Sequence, residues 1–325
     1  MFHFVELEES QLRQLSDAQA AWRNFLQARK DAGEVRGSMK WKTVSGGTYL
    51  IRVSTTGAET SLGPRDERTQ AMYDSLHARK GPAEARLKAM KGRLDEVRKL
   101  NRVYRVGRTP VVVVRVLAAI DQAGLSDQLI TVGTHAMYAY ETAAGVRVES
   151  GAVATRDLDL LFETSKLRAF TQRLKAGDAR SLIAVFRKAD PTFRVMREQL
   201  QTAVNDDGFE IDIIRRQAAA GDPHPLRMSD DEDDFWAVQV DQGEKIASGR
   251  KVEQLVVAAN GEMATMRTLH PLDFVRLKTE LSRRPGRDPQ KAPKDRLQAQ
   301  VVQELWDTQL QYLYRVDGPD VQAPP

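Results

Sequence analysis

Hydrophobic and polar residues along this 325-residue chain change period several times, and each change predicts an element. Between residues 8 and 32 the apolar positions Leu12, Leu15, Ala18, Trp22, Phe25 and Leu26 recur at threes and fours, which predicts a packing helix. From Gly37 to Leu62 the pattern alternates around a Gly46-Gly47 turn and is rich in Val, Thr, Ile and Tyr, the signature of a small antiparallel sheet. Residues 66–106 return to helical spacing, with Leu87, Met90, Leu94 and Val97 as one narrow stripe. The continuous run PVVVVRVLAAI predicts a helix packed before a first core strand, LITV, at 129–132. Further strands follow at 152–163 and 209–214, separated by a helix through Leu167, Phe170 and Leu174 and a hairpin near Phe193–Val195 and Gln201–Val204. A β region at Glu253–Met266 then leads to a helix opened by Pro271 and to a final helix.

These elements divide the chain into an N-terminal helix with a small sheet (1–66), a helical connector (67–108), an α/β core (109–216), a C-terminal β and helical region (217–316) and a disordered tail (317–325). The expected class is α/β, of the α+β kind, with a mixed sheet.

The strand AVATRDLDLLFE carries the chemistry. Residues i and i+2 share a strand face, so Asp157 and Asp159 project together while Leu158 and Leu160 enter a core. Adjacent carboxylates repel unless a cation lies between them, and the hard, oxygen-seeking Mg²⁺ or Mn²⁺ suits such a pair. Upstream, VGTHAMYAY places Gly133 and Thr134 at a helix start; downstream, FEIDII holds Asp212 between isoleucines, with Glu210 on the same face. Either Glu210 or Asp212 supplies a third carboxylate. Three carboxylates suffice for two metal ions about 3.5–4 Å apart. Backbone N–H groups at a glycine turn form an anion site, and Thr134 adds a hydroxyl.

A glycine turn, Asp-x-Asp and one more Asp on a neighbouring strand resemble the nucleotidyltransferase fold of the DNA-polymerase-β-like superfamily. Gly133-Thr134 stands where Gly-Ser is commonest in that superfamily, and keeps the hydroxyl. The combination of WKTVSGGTYLIRVS, VGTHAMYAYE, DLDLL and PLDFVRLKTELSRR, followed by Lys294-Asp295, is similar to a bacterial group related to AbiEii-type nucleotidyltransferases. The resemblance implies transfer of a nucleoside monophosphate from an NTP to an acceptor hydroxyl of RNA, tRNA or protein, with Asp157, Asp159 and Asp212 as metal ligands. It also implies nucleotide contacts from Gly133, Thr134 and Lys278. Two other readings are a nucleic-acid-binding module on an inactive scaffold and a toxin-like protein with an antitoxin partner.

Charge sharpens the partner. Between Arg79 and Arg108 eleven Lys and Arg stand against three acids, whereas the whole chain is only +4, so this segment is +8 and the remainder −4. A one-signed surface attracts polyanions, which makes residues 79–108 a candidate RNA or tRNA surface. The small sheet offers a second one, with Trp41 and Tyr49 among Lys40, Lys42 and Arg52. No apolar run approaches the roughly 18 residues of a membrane span, and the absence of cysteine excludes disulfides and thiolate metal sites. With an acidic N-terminus unlike a signal peptide, these features make a cytoplasmic protein the expectation. The five histidines lack zinc-site spacing, although His135 follows the Gly-Thr turn; SDDEDD at 229–234 lacks EF-hand spacing and reads as a solvated loop.

Overall fold

A computed structural model describes residues 4–314, so the tail expected at 317–325 lies outside the described residues. The chain forms two compact units, one of residues 13–103 and one of the remainder. A short strand β1 (Phe4–Glu6) precedes α1 (Glu9–Glu34), which enters the first of these units.

That unit continues with β2 (Ser38–Val44), β3 (Gly47–Val53), β4 (Glu59–Pro64) and the long α2 (Glu67–Val103). Ion pairs of Arg79 with Glu34 and Arg86 with Asp31, and a hydrogen bond from Gln14 to Asn101, run in opposite sequence directions, so α1 and α2 lie antiparallel. The buried side of α1 is largely alanine, at Ala18, Ala21, Ala28 and Ala32, which permits close helix approach. Asp66 and Thr69 start α2 by exchanging hydrogen bonds, Thr69 N–H to the carboxylate at 2.7 Å and Asp66 N–H to the hydroxyl at 2.9 Å. The β2-β3 hairpin closes through Ser45 (φ 50°) and Gly46 (φ 83°), a pair of left-handed residues that suits a two-residue turn. The sheet splits the expected aromatic and basic residues between its faces: Lys40, Lys42 and Tyr49 share one, with Tyr49 opposite Lys42, and Trp41 and Arg52 lie on the other. Trp41 alternates with Lys40 and Lys42, both lysines pair with Glu59, and the Trp41 ring lies against Tyr73 and under Arg65.

The larger unit is built on a mixed sheet. Its elements in order are α3 (Val111–Gln122), β5 (Leu129–Val132), α4 (Met137–Ala144), β6 (Val146–Val148), α5 (Ser150–Val153), β7 (Asp157–Phe162), α6 (Leu167–Ala176), α7 (Leu182–Phe186), β8 (Arg194–Met196), β9 (Gln199–Val204) and β10 (Glu210–Arg215). β11 (Leu226–Arg227), β12 (Trp236–Gln239), α8 (Gly243–Ser248), β13 (Lys251–Val257), β14 (Met263–Leu269), α9 (Pro271–Ser282) and α10 (Lys291–Thr308) complete it. The sheet runs β11-β12-β10-β7-β5, with β9 and β8 joined alongside β10. β7 lies parallel to β10 and antiparallel to β5. Leu158, Leu160, Ile211 and Ile213 anchor the sheet in the core, and Leu161 and Phe162 bury the far end of β7 on both faces. The β13-β14 hairpin is tied on by Thr268, whose hydroxyl donates to the Thr131 carbonyl at 2.7 Å. Tyr140 likewise donates to the Leu269 carbonyl at 2.8 Å. Pro271 at the first position of α9 follows the His270 cap, whose Nδ1 accepts from the Leu272 N–H.

The acidic run at 229–234 is not wholly a solvated loop. Asp234 is buried, and its two carboxylate oxygens accept from the N–H groups of Leu182 and Ile183 at 2.9 and 2.8 Å, capping α7 from about fifty residues away in the chain. Asp234→Ala leaves both donors buried without partners. It is expected to cost about 1–3 kcal/mol in urea unfolding, whereas a loss below about 0.5 kcal/mol would match an ordinary surface change.

Candidate active site

The parallel register of β7 and β10 decides the site. Glu210 lies opposite Asp157 and Asp212 opposite Asp159, so four carboxylates form a two-by-two patch on one face. Glu210 and Asp212, alternatives on the sequence pattern, are both brought to the patch by the sheet. Their electrostatics show the crowding. Burial, then the charges of Asp157 and Asp212, push the Asp159 carboxyl up to about 7. Asp212 is also raised, by burial first, against a 2.5 Å hydrogen bond from the Thr202 hydroxyl that favours its ionised form. Asp157 accepts from Thr155.

Gly133 has φ 68°, in the left-handed region, and begins a 3₁₀ turn of residues 133–136 that feeds α4. A Cβ at this position would overlap a carboxylate oxygen of Asp159, so glycine here is required by backbone and neighbour together. The Thr134 hydroxyl oxygen accepts from Nε2 of Gln298 at 3.0 Å, which leaves the Thr134 O–H free to donate outward. Gln298 on α10 is fully buried and also donates to the Ala152 carbonyl at 2.7 Å.

Cations come from α9 and α10. Lys278 is buried, 2.8 Å from Asp295, and Arg287 grips the other carboxylate oxygen of Asp295 at 2.6 Å. The Lys278 ammonium, expected to contact nucleotide phosphates, is paired with Asp295 in this structure, and its charge also lowers the Asp159 carboxyl. Lys291 and Lys294 in the first turn of α10 were not identified from sequence as site residues. Lys291 draws down the carboxyl groups of Asp159 and Asp212, Lys294 interacts with Asp157, and Lys294 donates to the Ala154 carbonyl at 2.5 Å. Two cations at the positive end of a helix oppose its dipole, an arrangement favoured only where anions gather. The signal was present as Lys-x-x-Lys at a helix start, with Gln298 one turn beyond Lys294 on the same face.

His135 is buried, stacks on Phe209 at 5.8 Å, and is pushed down to about 4 by burial and by Lys294. It is neutral at physiological pH and supplies no charge for phosphate. Among the described residues no three His, Asp or Glu side chains are gathered as a ready metal cluster. The donor chemistry of the patch nevertheless fits Mg²⁺ or Mn²⁺: oxygen ligands only, on one rigid face, with a charge excess that raises two carboxyl groups.

The sequence profile of a family described as Nucleotidyltransferase matches residues 112–317, more than half of the chain, and the chain belongs to that family. No curated protein and no solved structure matches it. The matched stretch holds the carboxylate patch, the Gly133 turn and the α10 lysines. Among the described residues no helix is long and apolar enough to cross a membrane.

Two outcomes test this geometry. Asp159 binds its proton more tightly in the fold than in the unfolded chain. Its contribution to stability is therefore full below about pH 4 and falls as the pH rises towards 7. In metal-free buffer Asp159→Asn should melt on the order of a few degrees above wild type at pH 8, with the gap closing by about pH 4; a pH-independent gap would contradict the repulsion. Gly133→Ala should lose about 1–2 kcal/mol through its left-handed backbone, with a further loss from displacing the Asp159 carboxylate. Chemical denaturation with full recovery of wild-type stability would show that the turn tolerates a side chain.

Proposed function

We propose that this member of the nucleotidyltransferase family transfers a nucleoside monophosphate from an NTP to an acceptor hydroxyl. The acceptor oxygen bonds to the α-phosphorus, the bond from the α-phosphorus to the bridging oxygen breaks, and pyrophosphate leaves. The hydroxyl proton passes to the carboxylate patch. The observation that carries this reading is the juxtaposition of four carboxylates on β7 and β10 with the lysines that open α10.

Each chain residue has a part in that reaction. Asp157, Asp159 and Asp212 would hold Mg²⁺ or Mn²⁺, which when bound neutralises phosphate charge and activates the attacking oxygen. Lys291 and Lys294 steady the β- and γ-phosphates as point charges. Gly133 lets the backbone approach the nucleotide, and Thr134, its oxygen held by Gln298, donates its hydroxyl hydrogen to a phosphate oxygen. Lys278 tempers the charge on Asp159 from within the α9-α10 pair. The order of glycine turn, Asp-x-Asp strand and adjacent carboxylate strand supports placing the site with the DNA-polymerase-β-like superfamily.

The test is incubation with each labelled NTP and total cellular RNA and protein, followed by a search for labelled product. Wild type should label an acceptor, and Asp159→Asn should lose at least about 10³-fold in rate, of the order seen when a preorganised electrostatic group is removed. Melting curves give an acceptor-free readout. Mg²⁺ with NTP should raise the wild-type midpoint by mass action and leave Asp159→Asn nearly unmoved. Equal shifts in both proteins would remove Asp159 from the metal set, and no shift with any NTP would overturn the reading.

A further inference from the structure

We propose that one flank of α2 docks the phosphate backbone of a nucleic acid. At 3.6 residues per turn, Lys88, Lys91, Lys99 and Arg102 fall within an arc of about 80° and along about 21 Å of helix axis. All four are exposed, and among the described residues none has an ion-pair or hydrogen-bond partner. Other cations of the same helix are treated differently: Arg79 and Arg86 pair with Glu34 and Asp31 of α1, and Arg93 pairs with Glu96. Asp95 is the one acid inside the arc between Lys88 and Arg102.

The flank therefore concentrates charge that the unit itself leaves uncompensated. Lys88 with Lys91, and Lys99 with Arg102, are like charges at i and i+3, a spacing that weakens an isolated helix. A polyanion laid along the row relieves that repulsion and releases counterions. The row's length matches roughly six phosphates of one duplex strand, at about 3.4 Å each. An anionic membrane is the poorer match, because an interfacial helix needs an exposed apolar face to embed. The apolar stripe of α2, Leu87, Met90, Leu94 and Val97, is half-buried or buried instead. The helix lies outside the residues matched by the family profile, and docking does not depend on the proposed transfer reaction.

The test uses full-length protein, a fluorescein-labelled 24-nucleotide RNA hairpin, a DNA duplex of the same length, and anisotropy titrations from low to physiological salt. Wild type should bind at least one of them with a log–log salt slope of roughly −3 to −4. The triple variant Lys88→Glu, Lys91→Glu, Lys99→Glu should bind at least tenfold more weakly while its circular dichroism and melting midpoint stay at wild-type values. A triple Gln variant, with no added acid, should fall between the two. Asp159→Asn should bind like wild type, which separates docking from the active site. Absent or salt-insensitive binding would overturn the proposal. So would wild-type affinity in the triple Glu variant with its fold intact, or tighter capture by phosphatidylserine vesicles than by either nucleic acid.

Discussion

Mutual repulsion of carboxylates on the β7-β10 face is the constraint around which the larger unit is arranged. A parallel register that sets Asp159 beside Asp212 and Asp157 beside Glu210 concentrates negative charge where burial already disfavours it. The fold tolerates this through local donors, Thr155 to Asp157 and Thr202 to Asp212, and through lysines brought from a helix more than a hundred residues away in the chain. Among the described residues Asp159 has no hydrogen-bond donor, and its carboxylate rests against the bare Cα of Gly133. It is accordingly the carboxyl group raised to about 7.

The α9-α10 pair serves as the counterweight. Asp295 is shared between Lys278 and Arg287, so this buried cluster keeps one surplus positive charge directed towards the patch. Lys291 and Lys294 extend the positive field to the surface, where a triphosphate would arrive. Gln298, one turn further along α10, reaches the Gly133-Thr134 turn, so a single helix both supplies charge and sets the orientation of the Thr134 hydroxyl. Disturbing the packing of α10 therefore moves its lysines and the turn geometry together.

The unit of α1, the small sheet and α2 follows a different physical rule. Its core is a narrow seam of alanines and aliphatic residues, so much of its helical surface is solvent-facing and free to carry charge. On the side towards α1 that charge is neutralised in pairs; on the flank from Lys88 to Arg102 it is not. In the small sheet Trp41 lies under Arg65, and Lys40 and Lys42 form surface ion pairs with Glu59.

Local pattern determined the elements and the chemical type of the site. The alternation DLDLLF requires Asp157 and Asp159 on one face of a strand, and the apolar flanks of Asp212 require a second strand, because the period of two is a property of the extended backbone itself. The helices α1 and α2 and the hairpin between β2 and β3 were equally legible, since each depends on residues close in sequence; the hairpin turn falls at Ser45-Gly46, one residue before the expected Gly46-Gly47, and the buried seam of α1 is mostly alanine, with Leu12 exposed and Trp22, Phe25 and Leu26 half-buried. Tertiary structure alone decided what depends on register and on distant neighbours. It placed Glu210 in the patch with Asp212, buried Lys278 against Asp295, drew Asp234 out of an acidic run to cap α7, and brought Lys291, Lys294 and Gln298 to a turn more than 150 residues upstream. Such pairings are fixed by which strands align and which helices pack, quantities to which residues far apart contribute jointly and which no local window of the chain contains.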